Sequence, residues 1–249
     1  MDVLRGRTAV VTGGSRGIGR GIVERLARDG AEVFFNYAHE REAADDAVRE
    51  VKAAGGSARA VRLDLAEPGA AEELMRTASE ESAAGEVSVL VNNAAVGFTP
   101  TPLDETGEEL FDRAMTVNAR AAFLTVRYAA RFMPEGGRIV NVSTLNTTRP
   151  GRGIVPYMMS KGALEQLTAA AAVELGPRGI TVNTVSPGAT DTALLRGTNP
   201  PEALEMAVGL TPLGRLGEPS DIAAVVAFLV GPDGGWVTGQ NIRATGGLG

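Results

Sequence analysis

Thr8-Ala9-Val10-Val11-Thr12-Gly13-Gly14-Ser15-Arg16-Gly17-Ile18-Gly19 is the stretch on which the reading of the whole chain turns. Its first four residues, three of them β-branched, have the length and composition of a short buried strand. They run straight into glycines, after which Ile18, Ile22 and Leu26 recur at helical spacing. Strand, glycine turn and helix in that order are the setting of a dinucleotide-phosphate cradle. Glycines lacking Cβ let the backbone approach a pyrophosphate, and the free amides and dipole at the helix start face its charge. The spacing Gly-x-x-x-Gly-x-Gly over Gly13, Gly17 and Gly19 is one residue longer in its first gap than the common form, so a purely structural glycine turn competes as a reading of the bare pattern.

Working outward, apolar runs alternate with charged, alanine-rich stretches. Ala31 to Phe35, residues 58–63, Val87 to Val91, residues 137–144, Ile180 to Val185 and Val237 to Ile242 read as further strands. Residues 40–54, the stretch from Glu67-Pro68, one broken or two consecutive helices over 106–133, residues 157–176 and the stretch from Glu218 read as helices. This alternation predicts an α/β fold in a single domain over residues 1–249, without repeat, linker or second-domain break. An excursion at about 190–212 mixes Gly197, Asn199-Pro200-Pro201 and an amphipathic piece carrying Leu204, Met206 and Val208; it reads as a substrate lid or as a fixed surface excursion.

Composition narrows the chemistry. The chain has 249 residues, 44% apolar content and 32 glycines, enough for one α/β domain with a large core. A net charge of −6 without a long basic run argues against a nucleic-acid partner. Cysteine is absent and His39 is the single histidine, so no metal site, thiol nucleophile or Ser-His triad is expected. The first apolar run is too short for a signal sequence or membrane span, so a soluble cytoplasmic protein with no membrane partner is expected.

The candidate chemistry lies at strand ends and one helix start. Tyr157 and Lys161, four apart, would share a helix face. A fixed positive charge there is expected to pull the phenol's pKa down from about 10, letting it act as acid or base. The second strand ends at Asn36, where an acidic residue would grip the ribose hydroxyl of NAD, and Arg16 stands in the glycine turn; this predicts NADP(H). His39 and Arg41 lie just beyond. Asp64, followed by Leu65, could accept from the adenine amino group or cap a helix. Asn92 and Ala94 follow the fourth strand and suit a wall beside the ribose. Asn118 sits unfavourably inside a helix, where, if buried, it could anchor a water leading toward Lys161. Ser143 and Thr144 end a strand, and alternation lets only one face a given side.

Taken together, Thr12 to Gly19, Asp64, Asn92 to Ala95, Asn118, the hydroxyl at Ser143 or Thr144, Tyr157 with Lys161, and Pro187-Gly188 resemble the short-chain dehydrogenase/reductase family over essentially the whole chain. The pattern is most similar to bacterial 3-oxoacyl carrier-protein reductases and related ketoreductases. The resemblance implies a single doubly wound Rossmann-type domain with a seven-stranded parallel sheet flanked by helices, and a homotetramer, or a dimer, built on the long helices. It implies that Tyr157 protonates the developing alkoxide, Lys161 holds the ribose and lowers the Tyr157 pKa, and Asn118 orders a water in the relay. The family's substrate-binding serine stands thirteen residues before the tyrosine; here that position is Thr144, which keeps the hydroxyl and adds a methyl. Cofactor contacts are implied at Gly13, Ser15, Arg16, Gly17, Ile18 and Gly19, at Asn36, Asp64, Leu65, Asn92 and Ala94, at Tyr157 and Lys161, and at Pro187, Gly188, Thr190 and Thr192. Two departures are Ala95 in place of glycine, which bears on the cofactor wall, and Ala244-Thr245 in place of Val-Asp, which bears on subunit contacts.

The expected activity is therefore NADPH-dependent reduction of a ketone, of 3-oxoacyl or polyketide-like type, free or carrier-bound. The alternatives are NAD(P)-dependent oxidation of a secondary alcohol and, in another class, a cofactor-binding sensor or scaffold without turnover. Relatives that reduce enoyl groups commonly space Tyr and Lys by seven, and residue 164 is Leu. Phe98, Leu145, Ile154, Val155, Met158 and Leu194 suggest an apolar pocket, with Arg149, Arg152 and Arg196 as candidate carrier-protein contacts.

Overall fold

The computed structural model describes residues 2–249, and among them seven strands form one parallel sheet in the order β3-β2-β1-β4-β5-β6-β7. The strands are β1 (Thr8–Val11), β2 (Glu32–Tyr37), β3 (Ser57–Arg62), β4 (Val89–Asn92), β5 (Arg138–Val142), β6 (Thr181–Pro187) and β7 (Asn241–Ala244). The helices between them are α1 (Gly17–Arg28), α2 (Arg41–Ala53), α3 (Ala70–Glu81), α4 (Glu108–Ala114), α5 (Ala121–Phe132), α6 (Val155–Leu175), α7 (Ala193–Thr198), α8 (Pro201–Leu210) and α9 (Pro219–Val230).

Every residue of β1 is buried because helices cover both faces of the sheet. The pleat sends neighbours to opposite layers. Ala9, Val11, Val33 and Phe35 pack with α1, α2 and α9, whereas Val10, Phe34 and Leu90 pack with α3, α5 and α6. A parallel strand covered on both faces, such as β1, is therefore mostly apolar rather than alternating. Burying one side chain such as Phe35, at 0% exposure, contributes about 1.5–3 kcal/mol.

From β1 the chain winds outward through β2 and β3, then returns to lay β4 against the other side of β1. Connections leaving these two neighbours in opposite directions open a crevice at their carboxyl ends. The glycine turn and residues from the ends of β2, β3, β4 and β5 meet there.

Several boundaries differ from expectation for identifiable reasons. β2 runs to Tyr37 because Asn36 and Tyr37 pair with Val61 and Arg62. The last strand begins at Asn241 rather than Val237, since Val237 N–H donates to Gly234 O in a turn and Gly239 holds φ +70°. Residues 106–133 are α4 and α5 joined without a break by a π-turn, Met115–Arg120. The excursion expected as a lid is two short helices, α7 and α8, with no buried residue in either. Among the described residues no helix is long and apolar enough to cross a membrane.

Candidate active site

A cleft of about 330 Å³ opens at the carboxyl ends of β1 and β4. Its floor is the glycine turn, held by amides from neighbouring strands. Asn93 Nδ2 donates to Thr12 O (3.0 Å) and Gly13 O (3.1 Å), while Thr12 Oγ1 accepts from Asn93 N and Ala94 N, both at 2.9 Å. Gly13 adopts φ +68°, and a Cβ on Gly19 would lie 2.1 Å from Gly13 O. Only glycine permits that approach, so the α1 amides stand open to the cleft.

Gly13, Ser15, Arg16, Gly17, Ile18 and Gly19 all line this floor. Ala94 and Thr192 form walls, and Asp64 and Leu65 lie toward the β3 end. Asp64 Oδ1 accepts from Ala66 N at 2.9 Å, and its other oxygen lies 3.9 Å from His39 Nε2. The Arg16 guanidinium is hydrogen-bonded to Glu40 at the rim.

Asn36 borders the cleft but corrects its assignment. Its Oδ1 accepts from Gly13 N (3.0 Å) and its Nδ2 donates to Leu63 O (2.9 Å), so the amide clamps the glycine turn to β3. Asn36 thus lines the cleft together with Tyr37 to Glu40 while its side chain is engaged in this clamp. Asn92 is displaced more completely: it points inside, accepting from Thr125 Oγ1 (2.7 Å) and donating to Asn141 Oδ1 (2.9 Å). Pro187, Gly188 and Thr190 do not line the cleft. Pro187 and Gly188 N pair with β7, and Thr190 spends its hydroxyl on Gly188 O (3.1 Å). From that segment Thr192, Ala193 and Leu194 reach the opening, and Thr192 Oγ1 caps α7 by accepting from Leu195 N at 3.2 Å.

Tyr157 and Lys161 lie one turn apart on α6, which opens with Pro156 in its first turn. Lys161 is 1% exposed; its Nζ donates to Val142 O at 2.7 Å and sits 5.9 Å from the centre of the Tyr157 ring. Burial pulls Lys161 down to about 8. The Tyr157 phenol is pushed above its ordinary value by burial, opposed by a hydrogen bond with Thr144. The direction is opposite to the depression expected from Lys161: loss of hydration outweighs the Thr144 hydrogen bond. Phe98 stacks on the Tyr157 ring, with centroids 4.7 Å apart and planes tilted by 34°.

The two adjacent hydroxyls diverge. Thr144 meets Tyr157, whereas Ser143 Oγ donates to Glu165 Oε1 at 2.7 Å. Asn118 projects inward from the π-turn, its Oδ1 accepting from Val96 N (3.0 Å) and its Nδ2 donating to Ser160 Oγ (3.0 Å). Ser160 in turn donates to Tyr157 O at 2.7 Å. Each end of the amide thus has one protein partner, which fixes its orientation. Arg113, Ser160 and Glu165 were not foreseen as site residues, and Asn93 was read only as part of the wall from Asn92 to Ala95. Strand alternation between Asn92 and Asn93 was the one available signal; the others depend on tertiary placement.

A family model described as enoyl-(acyl carrier protein) reductase matches residues 13–249. Versicolorin reductase 1 from Aspergillus parasiticus is 38% identical, over 98% of this chain and 97% of its own. Among solved structures, the angucycline C-6 ketoreductase LanV with bound NADP superposes with a TM-score of 0.92 at 43% identity, covering 98% of this chain and 96% of that one. A short-chain dehydrogenase/reductase from Serratia marcescens gives 0.92 at 41% identity, over 98% of both chains. Likeness of this extent, from the glycine turn to the last strand, shows that the chain belongs to the short-chain dehydrogenase/reductase family of oxidoreductases.

Proposed function

We propose that this protein is an NADPH-dependent ketoreductase acting on a planar, aromatic, polyketide-like ketone. The observation that carries this reading is the Tyr157 phenol on the wall of the glycine-floored cleft, with Phe98 stacked on its ring and Lys161 one turn away. The cleft fits an NADP-type cofactor. Gly19 leaves the backbone open to a pyrophosphate, and Arg16 with His39 supplies cationic or protonatable groups where a 2′-phosphate would lie. Bound there, the nicotinamide would supply hydride. Tyr157 would deliver its proton to the carbonyl oxygen, Thr144 would orient that oxygen, and Lys161 would hold ribose hydroxyls. Asn118 would keep the Tyr157 turn in place through Ser160.

The Tyr157 phenol, raised by burial, stays protonated at neutral pH and so is in the form that donates to a carbonyl oxygen. The aromatic preference draws on Phe98 and on the two relatives named for versicolorin and angucycline reduction. Enoyl reduction is disfavoured, since Leu164, seven after Tyr157, is buried in the core and offers no cation. A carrier-protein contact through Arg196 is weakened by its two-pronged pair with Asp191, at 2.6 and 2.7 Å.

The test is NADPH consumption against polycyclic aromatic ketones, 3-oxoacyl thioesters, enoyl thioesters and secondary alcohols with NADP. Fastest turnover of the aromatic ketones is expected. Turnover of enoyl thioesters alone, or binding of NADPH without any turnover, would contradict the proposal.

The same reading includes assembly through α5 and α6, where Phe123, Phe132, Met159 and Val173 stand exposed. Sedimentation should give a multiple of 25.7 kDa, lowered by Phe123→Glu with Val173→Glu. A wild-type monomer would count against it.

A further inference from the structure

We propose that Glu165 is a positioning residue that holds the Thr144 hydroxyl on Tyr157, an inference that rests on the catalytic roles proposed above. Glu165 lies on α6, one turn beyond Lys161, and is half-buried. A single oxygen of its carboxylate, Oε1, accepts from Ser143 Oγ and from Thr147 Oγ1, each at 2.7 Å. Those two residues bracket Thr144 in the chain. The carboxylate therefore pins both sides of the short turn, Leu145–Thr147, that Thr144 caps.

Each of the two hydroxyls has one proton and a competing acceptor. Ser143 Oγ is 3.4 Å from Lys161 O, and Thr147 Oγ1 is 3.0 Å from Thr144 O. A charged acceptor at shorter range wins both protons. Thr144 Oγ1 meanwhile accepts from Asn146 N at 3.2 Å, which leaves its own proton free for the Tyr157 oxygen, whose pKa it lowers. Without Glu165 the bracketing hydroxyls turn to their backbone acceptors, and the turn can carry Thr144 away from the phenol. Displacements of about 1 Å in such a group can cost about a hundredfold in rate.

The experiment compares Glu165→Ala and Glu165→Gln, alone and in a Thr144→Val background, by steady-state ketone reduction, NADPH fluorescence titration and thermal melting. Glu165→Ala should lower kcat by about 10- to 100-fold with NADPH affinity unchanged. Glu165→Gln, which keeps an acceptor oxygen in place, should restore most of the rate. In the Thr144→Val background, Glu165→Ala should cost nothing further, because coupled residues are not additive. A general structural role would instead give the same loss in both backgrounds, tracking the melting temperature, and would overturn the inference. So would a wild-type rate in Glu165→Ala or an equal loss in Glu165→Gln. If Glu165→Ala does not fold, Ser143→Ala with Thr147→Val removes both donors and should show the same selective loss of kcat. A full rate in Thr144→Val would locate the failure in the proposed catalytic role itself; a slow Thr144→Val beside a normal Glu165→Ala would locate it in the positioning role alone.

Discussion

Lys161 carries a long cationic side chain into a place where 1% of it meets water, and its proton affinity registers the cost. With a folded pKa of about 8 against an ordinary 10.5, the folded state binds fewer protons than the unfolded state between those values. Stability of the cofactor-free protein should therefore rise with pH across about 8 to 10.5 and be lowest, on this account, below 8. The penalty there is about 3 kcal/mol. Lys161→Met should flatten that slope, as read from urea melts of variant and wild type at about pH 7 and about pH 10; an unchanged slope would remove the account of Lys161. Asn36 illustrates the opposite outcome of reading residues. Its amide bonds Gly13 N and Leu63 O, so Asn36→Asp would set a carboxylate oxygen against a carbonyl. The variant should lose about 1–3 kcal/mol of stability rather than exchange NADPH for NADH; a clean switch of cofactor preference at unchanged melting temperature would restore the first interpretation. The Tyr157 and Lys161 pair was legible because four residues is one helical turn. Asn36 was not, because its role depends on where β3 ends its pairing with β2.

At the scale of elements, the π-turn between α4 and α5 does what an uninterrupted α-helix would not. It brings Asn118, 1% exposed, inward to join Val96 N to Ser160 Oγ. Such turns are uncommon and often accompany functional positions. Asn118→Ala would leave the Val96 N–H without its acceptor, costing about 1–3 kcal/mol, and would loosen the start of α6. The measurable outcome is a lower melting temperature together with a fall in kcat; unchanged values of both would refute the clamp. The sequence showed that residues 106–133 were helical and that Asn118 was out of place in an ordinary helix. It could not show the extra residue in the turn, which depends on distant partners in the loop after β4 and on α6. Strand β1 was placed to the residue because its apolar run ends in a glycine turn, and β3 within about a residue because Gly55-Gly56 precede it, whereas β7 was misplaced where a turn consumed Val237 and Gly239.

Across the whole molecule, strand–helix alternation and the glycine turn were enough to anticipate a single parallel α/β sheet, and the seven-strand doubly wound form came from the family resemblance. Covered on both faces, that sheet presents its carboxyl edge as the place for a reactive cleft, and the return of β4 beside β1 puts the crevice over Gly13 to Gly19. Less legible was the set of side chains that brace the site from behind. Thr125, Asn92, Asn141, Thr168 and Thr184 form one buried chain of hydrogen bonds across β4, β5, β6 and their helices. Polar residues in strands give no local sign of the partner they will meet, so Asn92 looked like a cleft residue. The molecule is then a parallel sheet that holds one protonated phenol beside a cofactor cradle, and that phenol supplies the proton. Tyr157→Phe measures it most directly, by NADPH titration and ketone turnover on the same preparation. The account predicts NADPH affinity within about threefold of wild type and kcat lower by about 10²- to 10⁴-fold; turnover at the wild-type rate would contradict it.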